Sequence, residues 1–367
     1  MSLFIEDRPA EGLPMYIDPV LPVNPFELFD PAAMVTVGAT YTEPVQNLIP
    51  NVPDDYNQKY AGGVLAPNGK IYGIPSYSSS VMEFDPITNL ISGFGSISGT
   101  YKFQGGVLAP NGKIYCIPHR YTKVAEIDPV TKEVIQFGSF ALNVNKWSGG
   151  VLAPNGKIYC APFDATQVLE INPTTRSASV FGTTFSGTFK CIGAVLHPNG
   201  KIYCVPYNHG SIIEIDPITR TVGTFGSAGI GTGRYSGGVL APNGKIYCIP
   251  YNVGSILEID PIARTTTTFG SVGSDTNKFQ GGVLAPNGKI YCIPHRSTTA
   301  LEIDPETKTT KSFGVFPVGV SKWSGGVLHP NGKIYGMPGY YGSILELDPK
   351  NLVTDPGVCL SPYFNKY

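Results

Sequence analysis

Most of the chain repeats one order of short apolar runs, turn residues and polar runs. The string Gly-Gly-Val-Leu-Ala-Pro-Asn-Gly-Lys-Ile-Tyr-Cys-Ile-Pro recurs seven times with small changes. Its first glycine falls at Gly62, Gly105, Gly149, Gly193, Gly237, Gly281 and Gly325, a spacing of 43 once and then 44 five times. That is the period of a propeller or a solenoid. In the unit 237–280 the run Gly-Gly-Val-Leu-Ala-Pro carries two glycines that let neighbouring backbones crowd, as an innermost strand must. Asn243-Gly244 predicts a type I′ hairpin turn with positive φ at both central residues. Lys245–Ile249 predicts the second strand. Ser255–Ile259 predicts the third, ended by Asp260-Pro261, and Thr265–Phe269 the fourth, ended by Gly270. Four strands per unit and no helical period predict an all-β fold, a seven-bladed β-propeller over residues 61–367 with blades of ~44 residues. The end units carry no polar cap, which argues against a solenoid.

Phe-Gly ends the fourth strand at Phe94, Phe137, Phe181, Phe225, Phe269 and Phe313, but position 357 is Gly357. The last blade therefore lacks a regular fourth strand. Met34-Val35-Thr36-Val37-Gly38, with its β-branched residues and terminal glycine, is expected to supply it as a clasp between the chain's two ends. Blades two and six share Lys-Phe-Gln-Gly-Gly and Pro-His-Arg, and blades three and seven share Lys-Trp-Ser-Gly-Gly. The offset is four blades each time, as duplication of a block would leave.

The pattern Pro-Asn-Gly-Lys-Ile-Tyr, a short loop, Leu-Glu-Ile-Asp-Pro, a Thr-rich stretch and Phe-Gly resembles the DG-x-[IL]-[YW] propellers. That group holds the virginiamycin B lyase-like, NHL-like and gluconolactonase-like proteins. The resemblance covers 61–367 and implies the fold. The shared residues are structural, so no catalytic residue carries over.

Composition narrows the function classes. In 367 residues, 14% are charged, 11% are aromatic and the formal net charge is -1. This is neither a disordered nor a coiled-coil composition, and it makes no case for nucleic-acid binding. No apolar run nears the roughly 20 residues that span a bilayer. The N-terminus lacks a basic and then long apolar segment, so no signal peptide is expected. Residues 1–60 are a different material, with nine prolines, nine acids and two bases. They read as an extended acidic arm whose charge suits the basic ring, packed on its own propeller or on a neighbouring subunit, and other protein subunits are its expected partners. Cys116, Cys160, Cys204, Cys248 and Cys292 occupy one equivalent strand position, and no Cys-x-x-Cys spacing suggests zinc. Free buried thiols fit synthesis in a reducing cytoplasm. No metal and no cofactor is expected.

The second-to-third and fourth-to-first strand loops are expected on one variable face, opposite a scaffold face of Pro-Asn-Gly and Asp-Pro turns. Each fourth-to-first loop ends in a base, namely Lys102, Lys146, Lys190, Arg234, Lys278 and Lys322, with Lys59 before blade one. Near one axis these form a ring able to attract an anion or an acidic chain, unless they lie solvated at the rim. The aromatics that follow them are expected to wedge between blades. His119, Arg120, Tyr207, Asn208, Tyr251, Asn252, His295, Arg296 and Tyr340 on the second-to-third loops could recognise sugars or peptides. The glutamates repeated in the third strand and the tyrosines of the second are explained by cross-strand pairing, Tyr247 opposite Glu258. No catalytic pair stands out, because catalysis needs one odd residue and these recur in every blade. The expected function is a non-catalytic propeller in a larger assembly, its arm docking on neighbours. A virion or phage-tail part suits the low charge and amplified blades. The alternatives are a glycan- or small-ligand-binding, lectin-like ring and a metal-dependent lyase or lactonase.

Overall fold

The computed structural model describes residues 44–50, 52, 59–142 and 144–349. The chain divides into two units, Met1–Val35 and Thr36–Tyr367. The first unit, most of the acidic arm and the clasp expected at 34–38 lie outside the described residues.

The second unit is the expected seven-bladed propeller, each blade a four-stranded antiparallel sheet. Blade one runs Tyr60–Leu65, Ile71–Pro75, Val81–Asp85 and Leu90–Phe94. Blade five runs Tyr235–Leu240, Ile246–Pro250, Ile256–Asp260 and Thr265–Phe269. The outer strand of blade seven is Val45–Ile49, not the segment expected, and it pairs antiparallel with Ile344–Asp348. Residues 45–49, Val-Gln-Asn-Leu-Ile, lack the β-branched run and closing glycine used to find the clasp. Pairing with an exposed edge, rather than local propensity, makes them a strand. Gln46 extends the clasp to blade six, donating to Val315 O (2.8 Å) and accepting from Val315 N (3.1 Å). Among the described residues no helix is long and apolar enough to cross a membrane.

The core lies between blades in seven sandwiches, each shared by two neighbours. This explains why the second strand is apolar throughout. In blade five Ile246 and Cys248 pack toward blade four, while Tyr247 and Ile249 pack toward blade six. The fourth strand is mostly exposed, and in Thr265–Phe269 only Thr266 and Phe269 are half-buried. At the axis, Gly237 has φ +90°, and a Cβ there would stand 2.9 Å from Gly281 Cα. Neighbouring inner strands thus touch main chain to main chain, and only glycine satisfies both demands. The aromatics that open the inner strands do wedge between blades. Trp147 packs on Phe140 and Trp323 on Phe316, both indoles nearly sealed from solvent.

The Asn-Gly turn differs from the sequence expectation. Gly244 has φ +75°, but Asn243 is not among the positive-φ residues. Gly244 N donates to Ala241 O (3.0 Å) and Ala241 N to Lys245 O (2.9 Å), which is a type I turn closed by a glycine bulge. Pro242 sits where its fixed φ suits a type I turn. Asn243 serves through its side chain, accepting from Lys245 N (3.1 Å) and donating to the Tyr247 hydroxyl (2.8 Å).

Candidate functional site

The two faces are joined by different chemistry. On the lower face, carrying the Asn-Gly and Asp-Pro turns, Tyr247 opposes Glu258 as expected, and the same pair recurs in every blade. In blade two the Glu126 carboxylate accepts from Lys113 (3.0 Å), from the Tyr115 hydroxyl (2.8 Å) and, across the interface, from Arg176 of blade three (3.0 Å). Lys132–Glu83, Arg220–Glu170, Arg264–Glu214 and Lys308–Glu258 repeat the crossing. Each crossing base has φ between +48° and +63°, the turn geometry from which its side chain reaches back to the preceding blade. Burial opposes ionisation of Glu126, but its hydrogen bonds from Arg176, Lys113 and Tyr115 prevail and hold the carboxyl below its usual range. His197 and His329, which replace an alanine in the turn, also bind across blades, to Gly244 O (3.1 Å) and Gly69 O (3.0 Å).

On the upper face the bases do not form the anion-attracting ring expected, nor do they lie solvated at the rim. Lys102, Lys146, Lys190, Arg234, Lys278 and Lys322 are at most 4% exposed. Their cationic groups point onto main-chain carbonyls of their own loop or of the preceding blade's second-to-third strand loop. Lys102 Nζ donates to the carbonyls of Ser76, Ser78 and Gly99, Lys190 to Gly187, Lys322 to Arg296 and Ser297, and Arg234 to Gly229 and His209. Burial lowers Lys146 and Lys322 to about 8. The main chain of the same residues does something the sequence did not reveal. His119 N donates to Lys102 O, and Lys146 N donates across to His119 O. The relay passes through Phe163, Lys190, Tyr207, Arg234, Tyr251, Lys278, His295, Lys322, Gly339, Lys59 and Ser76 back to Lys102, at 2.8–3.1 Å throughout. It is a closed circuit of main-chain bonds around the axis.

The circuit presents one side chain per blade directly after the second strand: Ser76, His119, Phe163, Tyr207, Tyr251, His295 and Gly339. Five of these are rings that follow one another around the axis. Centroid distances are 5.3 Å for His119–Phe163, 5.9 Å for Phe163–Tyr207, and 5.7 Å for both Tyr207–Tyr251 and Tyr251–His295. Successive planes are tilted by 41–52°, close to the seventh of a turn that relates blades. The arc is broken at Ser76 and Gly339, where blades one and seven meet. No side chain fits at Gly339, since a Cβ would lie 2.3 Å from Ser321 O.

A cavity of about 120 Å³ opens in that break, walled by blades six, seven, one and two. Gln104, Gln280, His119, His295, Tyr101 and Ser324 line it. The histidines end the arc on either side, each with Nδ1 on a main-chain oxygen, Trp147 O at 2.9 Å and Trp323 O at 3.1 Å. A carbonyl only accepts, so Nδ1 carries the proton and Nε2 is a bare acceptor. Burial lowers both imidazoles to about 4, so they are neutral at pH 7. The Ser324 hydroxyl is buried without a partner. A larger cleft, about 560 Å³, lies on the lower face at Lys113, Glu126 and Arg176. Those groups are already bonded to one another, so the upper mouth is the better candidate.

Of the residues expected to bind, the structure brings His119 and His295 to the mouth and sets Tyr207 and Tyr251 along the arc. Asn208 and Asn252 instead cap neighbouring loops, accepting from Gly233 N and Asn277 N at 2.7 Å each. Arg120 bonds Asn145 and lies over the Tyr101 ring, while Arg296 and Tyr340 are exposed farther out. Sequence reasoning missed Gln104, Gln280, Ser76, Ser324 and Gly339. The shared Lys-Phe-Gln string of blades two and six was the available signal. The described cysteines are free and buried, and Cys359 lies outside the described residues.

No family model and no curated protein matches this sequence. Its fold has similar solved structures. A streptogramin B lyase is 10% identical with a TM-score of 0.72, covering 84% of this chain and 99% of that one. A catalytically inactive virginiamycin B lyase from Staphylococcus aureus with quinupristin is 11% identical with a TM-score of 0.70, covering 83% and 99%. Hydrazine synthase from Kuenenia stuttgartiensis is 13% identical with a TM-score of 0.64, covering 84% and 98%. At such identities the likeness is one of fold.

Proposed function

We propose that this propeller is a non-catalytic binding protein that takes a small polar molecule at the mouth of its axis. The observation that carries this reading is the break in the arc, where Ser76 and Gly339 replace rings and leave a polar cavity between two histidines. A preformed concavity with a few convergent polar groups is the usual form of a ligand site. Binding is favoured because two amides, two imidazoles and a serine hydroxyl converge on the cavity with no carboxylate among the described residues that line it. The test is a ligand-observed NMR screen of small polar fragments on the full chain and on Ser76→Phe, which extends the arc into the break. Hits on the parent protein that weaken at least about tenfold in the variant support the reading. Hits of equal strength on both, or none on the parent, refute it.

A further inference from the structure

Resting on that reading of the mouth, we infer that its ligand is an uncharged, polyhydroxylated molecule, the terminal unit of a carbohydrate, held by Gln104, Gln280, His119, His295 and Ser324 beside the Tyr101 ring. The mouth holds several unpaired valences. Among the described residues neither glutamine carboxamide has a protein hydrogen-bond partner, nor does either Nε2. The Ser324 hydroxyl, 6% exposed, has none either. Together these offer two amide donors, two amide acceptors, two fixed acceptors and one hydroxyl that does both. Vicinal hydroxyls match such a mixture because each both donates and accepts.

Charge selects the same class. An anion would face two bare imidazole lone pairs, and the buried rings resist the protonation that would turn them into donors. A cation would find no carboxylate among the described residues that line the mouth. The volume, about 120 Å³, is that of some four waters at about 30 Å³ each. It admits the hydroxylated edge of one sugar ring, with the rest of the ring outside. Tyr101 stands at that edge, its ring 4.4 Å from Tyr77 and backed by the Arg120 guanidinium at 4.7 Å. Such a platform suits the apolar face of a sugar.

Saturation-transfer NMR on the full chain, with glucose, galactose, mannose and N-acetylglucosamine against glucuronate and glucosamine, tests this. At least one neutral sugar should bind, about tenfold more weakly in Gln280→Leu and in Gln104→Leu. Both variants should keep the parent melting temperature. Glucuronate and glucosamine should bind at least tenfold more weakly than the neutral sugars. If only a charged sugar binds and Ser76→Phe abolishes it, the mouth stands and the ligand class falls. Neutral sugars that bind the parent and Ser76→Phe alike remove both. Absence of neutral-sugar binding at millimolar concentration overturns the class, whatever the fragment screen finds.

Discussion

On the lower face each blade grips the next with side chains, as when Arg176 reaches Glu126 under the paired Lys113 and Tyr115. On the upper face each blade grips the next with main chain, as when Lys146 N reaches His119 O. The two arrangements tolerate change differently. A carboxylate clamp depends on its side chains, so every blade keeps the glutamate and the tyrosine, and among the described residues Lys or Arg makes the crossing at five interfaces. A main-chain circuit is indifferent to the side chains it carries, so a serine, a histidine, a phenylalanine and a glycine hold the same place in it. Seven nearly identical units could therefore diverge on one face without loosening the ring. The break in the arc, and the mouth within it, lie on that face.

The largest separation between the faces should come with acid. His119 and His295 are held near 4, whereas unfolded imidazole titrates near 6.5. Their contribution is complete above about pH 6.5 and is lost as pH falls toward 4, on the order of 3 kcal/mol apiece. The lower-face carboxylates, held below their ordinary range, let go only under about pH 4.5. Denaturant titrations at pH 7, 5.5 and 4.5 should show stability falling through the upper window. The double variant His119→Phe/His295→Phe, which copies Phe163, should flatten that fall. An unchanged slope would break the contrast.

Removing one clamp should cost somewhat less. Glu126→Ala removes the acceptor that Lys113, Arg176 and Tyr115 share, leaving the hydroxyl only Pro173 O at 3.3 Å and Lys113 only Asp128 at 3.5 Å, and should destabilise by about 2–3 kcal/mol in urea unfolding. Lys146→Met is the matching change above. It discards a buried ammonium bonded to Ala141 O (2.9 Å) but leaves the main-chain circuit whole, so the loss should stay within about 1 kcal/mol. Equal losses from the two substitutions would show that the upper bases matter as much as the lower acids. The smallest effect belongs to the closing interface, where Asn89 occupies the turn position held by Lys132 in blade two, with the same left-handed φ. Asn89→Lys should add a crossing ion pair to Glu346 and raise stability by about 0.5 kcal/mol, read as a shift of the urea midpoint.

Much of the ring was legible in the chain because its determinants are local and repeated. The period, the glycine pairs, the Asp-Pro stops and the register of tyrosine against glutamate follow from neighbouring residues. The turn type was misread because Asn243 was weighed by its backbone preference, while in the fold its side chain does the bonding. The clasp was misplaced for a related reason. Residues 45–49 have no strong strand propensity and take their structure from the open edge of Ile344–Asp348.

The site was the least legible part. His119 and His295 could be singled out as unusual, but their partners at the mouth, Gln104 and Gln280, lie far from each other in sequence and in the middle of repeated strings. The seven bases could be counted from the chain, yet whether they faced an anion or a carbonyl depended on loops folding back over them. By itself the sequence determined seven four-stranded units and the face on which they differ, since both are carried by short-range pattern. Only the tertiary structure decided which blade ends lie side by side across the closure and which polar groups are left there without partners, because those relations exist only once the ring is shut.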